Sequence, residues 1–111
     1  MAVSKGDYYR RKTKKMFDED GYHTEYMEVK TRVWDDSKKA LVYRKTDILE
    51  CDGVSMNGEE IIFWNSVLGR AGISSHYKRF KKLPFPKSRK IKVYIIVWTK
   101  GAREPEIVEV M

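Results

Sequence analysis

The chain has one cysteine, two histidines and three prolines in 111 residues. A lone Cys51 excludes an internal disulfide, and in a strand-like run it suits a small buried apolar role better than that of a nucleophile. His23 and His76 are unaccompanied by Cys or by a spaced His, which removes the usual zinc patterns. No apolar run approaches the roughly 18 residues of a membrane span. The opening Met1-Ala2-Val3-Ser4-Lys5-Gly6 lacks the apolar stretch of a signal peptide. Gly69-Arg70-Ala71-Gly72 is too short for a phosphate-cradling loop and lacks its lysine–serine ending. These absences predict a cytoplasmic chain with no membrane partner, no small-molecule substrate and no cofactor.

What is present suits one domain over residues 1–111, with 41% apolar residues, three Trp and seven Tyr. The net charge is +7, and its placement says more than its size. Between 69 and 92 stand Arg70, Lys78, Arg79, Lys81, Lys82, Lys87, Arg89, Lys90 and Lys92, with no acid at all. The first 17 residues carry Lys5, Arg10, Arg11, Lys12, Lys14 and Lys15 against Asp7. Residues 18–68 hold six basic and twelve acidic groups, so two basic blocks flank an acidic middle. A polyanion facing one side is the simplest use of that polarity. A solvated surface on a lysine-rich protein is the bland alternative.

Apolar spacing predicts a helix over 6–20, with Tyr9, Thr13, Met16 and Phe17 on one stripe and Gly21 as its stop. Its acidic last turn, Asp18-Glu19-Asp20, opposes the helix dipole. Strand formers alternate over 22–34 and again over 40–51, with Asp35-Asp36-Ser37-Lys38-Lys39 as the turn between them. Asp52-Gly53 and Asn57-Gly58 read as turns, and the apolar run over 60–67 suits a strand covered on both faces. Ser74 can cap a second helix that keeps Ile73, Tyr77 and Phe80 for the core, and Pro84 and Pro86 end it. Alternation over 90–98 is the clearest strand, and 105–110 can return as an edge strand. The predicted fold is α/β, with a mixed central sheet in the order α-β-β-β-α-β-β.

That order resembles the restriction-endonuclease-like core of the PD-(D/E)XK nuclease superfamily, and in layout the archaeal Holliday junction resolvases. Lys5-Gly6 before a helix looks like the opening of those resolvases. Thr46-Asp47-Ile48-Leu49 looks like their aspartate-bearing strand, and Ile61-Ile62-Phe63 like the run into their Glu-x-Lys. In such nucleases carboxylates on neighbouring strands hold a divalent metal, and a lysine two residues beyond the glutamate shares its face of the strand. The resemblance makes Asp47 the first carboxylate. It puts Asn65 where the glutamate belongs, Val67 where the lysine belongs, and Arg10 where the first helix carries its own glutamate. Glu50 and Asp52 point away from Asp47 if that strand is regular. A literal Glu28-Val29-Lys30 has no earlier strand to bring it a partner aspartate.

The sequence therefore points to DNA binding with catalysis degenerate, through Arg10, Arg11, Lys14, Lys15, Arg70, Lys78, Arg79, Lys81, Lys82, Lys87, Arg89 and Lys90. Double-stranded or branched DNA is the expected partner, and the resemblance implies a homodimer. The apolar surplus of Ile61-Ile62-Phe63-Trp64 and the last strand points the same way. The alternative is a divergent endonuclease using Asp47, a migrated partner and Mg²⁺ or Mn²⁺. A module that binds RNA or protein is the third.

Overall fold

Apolar positions recurring every three to four residues produce α1 (Lys5–Glu19). Tyr9, Thr13 and Phe17 are buried along its stripe, with Met16 partly covered beside them. Thr13 is tolerated there because its hydroxyl donates to the Tyr9 carbonyl at 2.8 Å, one turn back. Ion pairs Lys14–Asp18 and Lys15–Glu19, each spaced i,i+4, answer the acidic last turn. Gly21, at φ +89°, then stops the helix. The structure, a computed structural model, describes residues 5–47, 49 and 51–111. Among the described residues no helix is long and apolar enough to cross a membrane.

The strand expected over 22–34 divides at Met27 into β1 (His23–Tyr26) and β2 (Glu28–Asp35). Met27 leaves the ladder, and its N–H donates to the Asp52 carbonyl at 3.0 Å. β3 (Ala40–Asp47) also ends sooner than expected, because Leu49 lies at φ +54°, which a regular strand cannot contain. Ile48 and Glu50 lie outside the described residues. Where Asp52-Gly53 reads as a turn, the chain instead enters a short strand, β4 (Gly53–Met56). Asn57-Gly58 does turn, and the Asn57 side chain accepts the N–H groups of Glu59 and Glu60. β5 (Ile61–Leu68), α2 (Ile73–Lys82), β6 (Ile91–Trp98) and β7 (Glu106–Glu109) complete the chain.

The result is a small α/β fold with a mixed five-stranded sheet in the order β1-β4-β5-β6-β7. β5 and β6 are parallel, joined through α2, and the other pairs are antiparallel. β2 and β3 form a separate two-stranded hairpin. The period of two along β5 and β6 sorts their side chains to two cores. Ile62, Trp64, Ile96 and Trp98 pack with Tyr9 and Phe17 of α1. Val93, Ile95 and Val97, with Phe63 and Val67, pack with Ile73 and Phe80 of α2. The helices thus cover opposite faces, and the apolar run of β5 is absorbed within one chain. Ile62 and Trp64 are buried within one chain, whereas Ile107 of β7 is exposed.

Both buried indoles find hydroxyl acceptors, Trp64 Nε1–H on Ser55 Oγ at 3.0 Å and Trp98 Nε1–H on Thr13 Oγ1 at 2.8 Å. On α2 the inward stripe is Ile73, His76 and Phe80, spaced i, i+3, i+7. Tyr77, expected in the core, falls off that stripe and is exposed, with Lys81 Nζ 5.4 Å from its ring centre. Gly72, not Ser74, is the N-cap, and it has no side-chain cap bond. Leu83 is extended before Pro84 and closes the helix as that proline requires.

Candidate functional site

The parallel pair β5–β6 directs the chain into the turn before α2, the end of such a sheet where α/β folds place ligands. Asn65 lies in the middle of β5 on the α2 face and is 2% exposed. Its Oδ1 accepts the Asp52 N–H at 2.7 Å, and its Nδ2 lies 3.0 Å from Nδ1 of His76 on α2. Because Nδ2 is a donor, Nδ1 accepts, and the imidazole proton belongs on Nε2. Asp52 Oδ2 accepts the Ser66 N–H at 2.9 Å. Asp52, just ahead of β4, Asn65 on β5 and His76 on α2 therefore form one bonded cluster.

Asp47 ends β3. Its backbone pairs with Glu28 at the base of the β2–β3 hairpin, in the other sheet, and its side chain lies outside the described ones. Asp52 reaches Asn65 through its backbone N–H. A two-residue period cannot be carried through Leu49, whose positive φ resets which face the chain presents. The available signal was the pair of turn dipeptides, Asp52-Gly53 and Asn57-Gly58, which bracket room for a short strand just ahead of the apolar run. His76 had no signal beyond its spacing from Ile73 and Phe80.

The cluster does not fit a resident divalent metal. Mg²⁺ takes oxygen ligands in near-octahedral array, usually one or two carboxylates with phosphate oxygens. Asn65 Oδ1 is spent on a backbone N–H, and Val67 is a half-buried apolar residue among the α2 core. Among the described residues no three His, Cys, Asp or Glu side chains converge as metal ligands do. The arrangement ties the segment just ahead of β4 to β5 and α2.

The basic residues separate into two groups on opposite faces of the sheet. Lys78, Arg79, Lys81 and Lys82 are exposed on α2, three of them in its last turn, and Lys87, Arg89 and Lys90 are exposed in the loop that follows. Cations at a helix C-terminus also suit the dipole, which alone explains part of this pattern. On the α1 face, Lys14 and Lys15 pair with Asp18 and Glu19, while Arg11 is exposed and Arg10 half-buried. Lys12, absent from the expected set, lies 4.6 Å from the Trp98 ring centre and donates to the Ala102 carbonyl. Arg70 forms an exposed ion pair with Glu106. These exposed pairs are weak, and a phosphate can displace them.

Comparison with family models, with curated proteins and with solved structures finds no match to this chain.

Proposed function

We propose that the chain is a DNA-binding protein on a restriction-endonuclease-like core with a degenerate catalytic site, contacting the phosphates of double-stranded or branched DNA. The observation that carries this reading is the acid-free stretch 69–92 and the way it folds. Lys78, Arg79, Lys81, Lys82, Lys87, Arg89 and Lys90 lie exposed on one helix and the loop after it. Such a surface supplies the sequence-independent part of nucleic-acid affinity. The topology supports the scaffold: with the β2–β3 hairpin set aside, the elements run α1-β1-β4-β5-α2-β6-β7, an α-β-β-β-α-β-β order.

On this reading Asp52, just ahead of β4, and Asn65 on β5 occupy the places of the first carboxylate and the glutamate, and Val67 that of the lysine. Neither Asn65 nor Val67 can replace the group expected there. The competing reading, a divergent endonuclease, would use Asp52, whose carboxylate accepts the N–H of Ser66, the residue after Asn65. Fluorescence anisotropy of labelled duplex and four-way junction DNA against salt tests the binding reading. Four to six phosphate contacts give log K against log salt a slope of roughly −4 to −5. A slope near zero, or no binding at low salt, overturns it.

A further inference from the structure

The β2–β3 hairpin carries a second feature that the DNA-binding reading does not absorb. Its register sets Arg32 opposite Tyr43 and Trp34 opposite Leu41, so these four side chains share one face of the ribbon. Trp34 is 58% exposed, Tyr43 69% and Leu41 54%. An isolated two-stranded hairpin gains little from such residues unless something covers them. All six basic residues in the acidic middle of the chain fall here: Lys30, Arg32, Lys38, Lys39, Arg44 and Lys45. Against the hairpin's four acids they give it a net +2, while the rest of 18–68 has eight acids and no base.

Two of those four acids are engaged within the turn. Asp35 Oδ1 accepts the N–H and hydroxyl of Ser37 at 2.9 and 2.6 Å. Asp36 Oδ1 accepts Trp34 Nε1–H at 2.7 Å, which fixes the indole while leaving it open to solvent.

A second copy of the chain is a poor occupant. Eight residues per strand make a ribbon about 26 Å long and 10 Å wide, hence a face of roughly 260 Å². A stable dimer buries about 800 Å² on each partner. A polyanion with exposed flat rings meets both the charge and the shape. Trp34 and Tyr43 are diagonal neighbours across the strands, a separation of about 7–8 Å. That puts both rings within reach of neighbouring bases of one strand.

We propose that the β2–β3 hairpin is a stacking arm for unpaired bases, in which Trp34 and Tyr43 take bases exposed at a branch point or single strand and Arg32 meets the adjoining phosphate. This rests on the nucleic-acid reading above and adds to it a preference for unpaired over fully paired DNA.

The test uses the full chain with three probes: a twenty-nucleotide oligo-dT, a four-way junction and a perfect twenty-base-pair duplex. Trp64 and Trp98 are buried, so quenching of the exposed tryptophan emission reports on Trp34. Oligo-dT and the junction should quench it, and the duplex should not. Replacing Trp34→Ala with Tyr43→Ala should weaken oligo-dT and junction binding by about tenfold per lost ring. Duplex binding and the salt slope should change by less than about twofold, because the phosphate contacts stay. Trp34→Phe with Tyr43→Phe should restore most of the affinity, which separates stacking from damage to the fold. DNA binding with no quenching, and with unchanged affinity in the alanine pair, overturns the arm and leaves the phosphate-binding reading standing. No binding to any probe overturns both. A dimer that the alanine pair converts to a monomer, with DNA affinity unchanged, assigns the face to a second copy and overturns the arm.

Discussion

Gly53 and Trp64 stand opposite each other in the β4–β5 ladder, and a Cβ built on Gly53 would lie 2.2 Å from Cζ2 of the indole. No atom can approach that closely, so the ring rests on bare backbone. Gly53→Ala must push Trp64 out of its place against Phe17 and away from Ser55 Oγ. Overpacking of this kind costs about 1–3 kcal/mol. Urea unfolding should give a lower midpoint with an unchanged slope; an unchanged midpoint would mean that β4 does not pair as described.

Replacing Lys78, Arg79, Lys81 and Lys82 together by Ala should weaken binding to every DNA probe and reduce the salt slope by up to about 3.6. Folding should hardly change, since exposed substitutions usually stay within about ±0.5 kcal/mol each. Anisotropy and circular dichroism on the same preparation check both halves. Unchanged binding in the folded variant moves the interface to the opposite face, where Arg10, Arg11, Lys14 and Lys15 lie.

The purified chain should show no Mg²⁺- or Mn²⁺-dependent cleavage of branched or linear DNA. Losing one electrostatic stabiliser commonly lowers a rate on the order of 10²–10³-fold, and two expected groups are replaced here. Asn65→Glu with Val67→Lys should destabilise the fold, because both positions belong to the packed α2 face. Metal-dependent cutting by the wild type that vanishes in Asp52→Ala would overturn the degenerate reading.

The pH dependence of stability should carry two marks of one cluster. Lys92 Nζ lies 2.6 Å from Glu60, which also accepts the Tyr22 hydroxyl. The Lys92 ammonium first, then the Tyr22 hydroxyl, hold Glu60 below its ordinary 4.5. That contribution is present above about pH 4.5 and is lost as pH falls through the lower folded value. Tyr22, donating to Glu60 and partly buried, is pushed up from 10.0 to about 12. Its contribution is complete below pH 10 and lost as pH rises toward 12. Tyr22→Phe should flatten the alkaline limb of the urea midpoint against pH, and Glu60→Gln the acid limb. An alkaline limb that Tyr22→Phe leaves unchanged would show that the pair does not form.

Strong periodicity was legible from the residues. The stripe of α1, the run of β5, the alternation of β6 and the edge position of β7 all follow from spacing and propensity. β4 was not legible, because a four-residue strand that begins with glycine carries too few apolar positions to show a period. Its loss hid Asp52. The cationic hairpin was hidden differently: charge summed over 18–68 averages six clustered bases against twelve acids. Tyr77 was misplaced because both it and His76 suit a helix, and the surroundings of Asn65 decide which turns inward.

The hydrogen bond from Met27 N–H to the Asp52 carbonyl closes a neck. The β2–β3 hairpin, a sheet of its own, lies between those two residues. The cost of closing such an excursion grows slowly with its length, by about 0.6 kcal/mol for each doubling. The arm can therefore lengthen, shorten or change its tip over generations while the ladder β1-β4-β5-β6-β7 keeps its register. A change in the hairpin and a change in the sheet's register are therefore almost independent events in this chain.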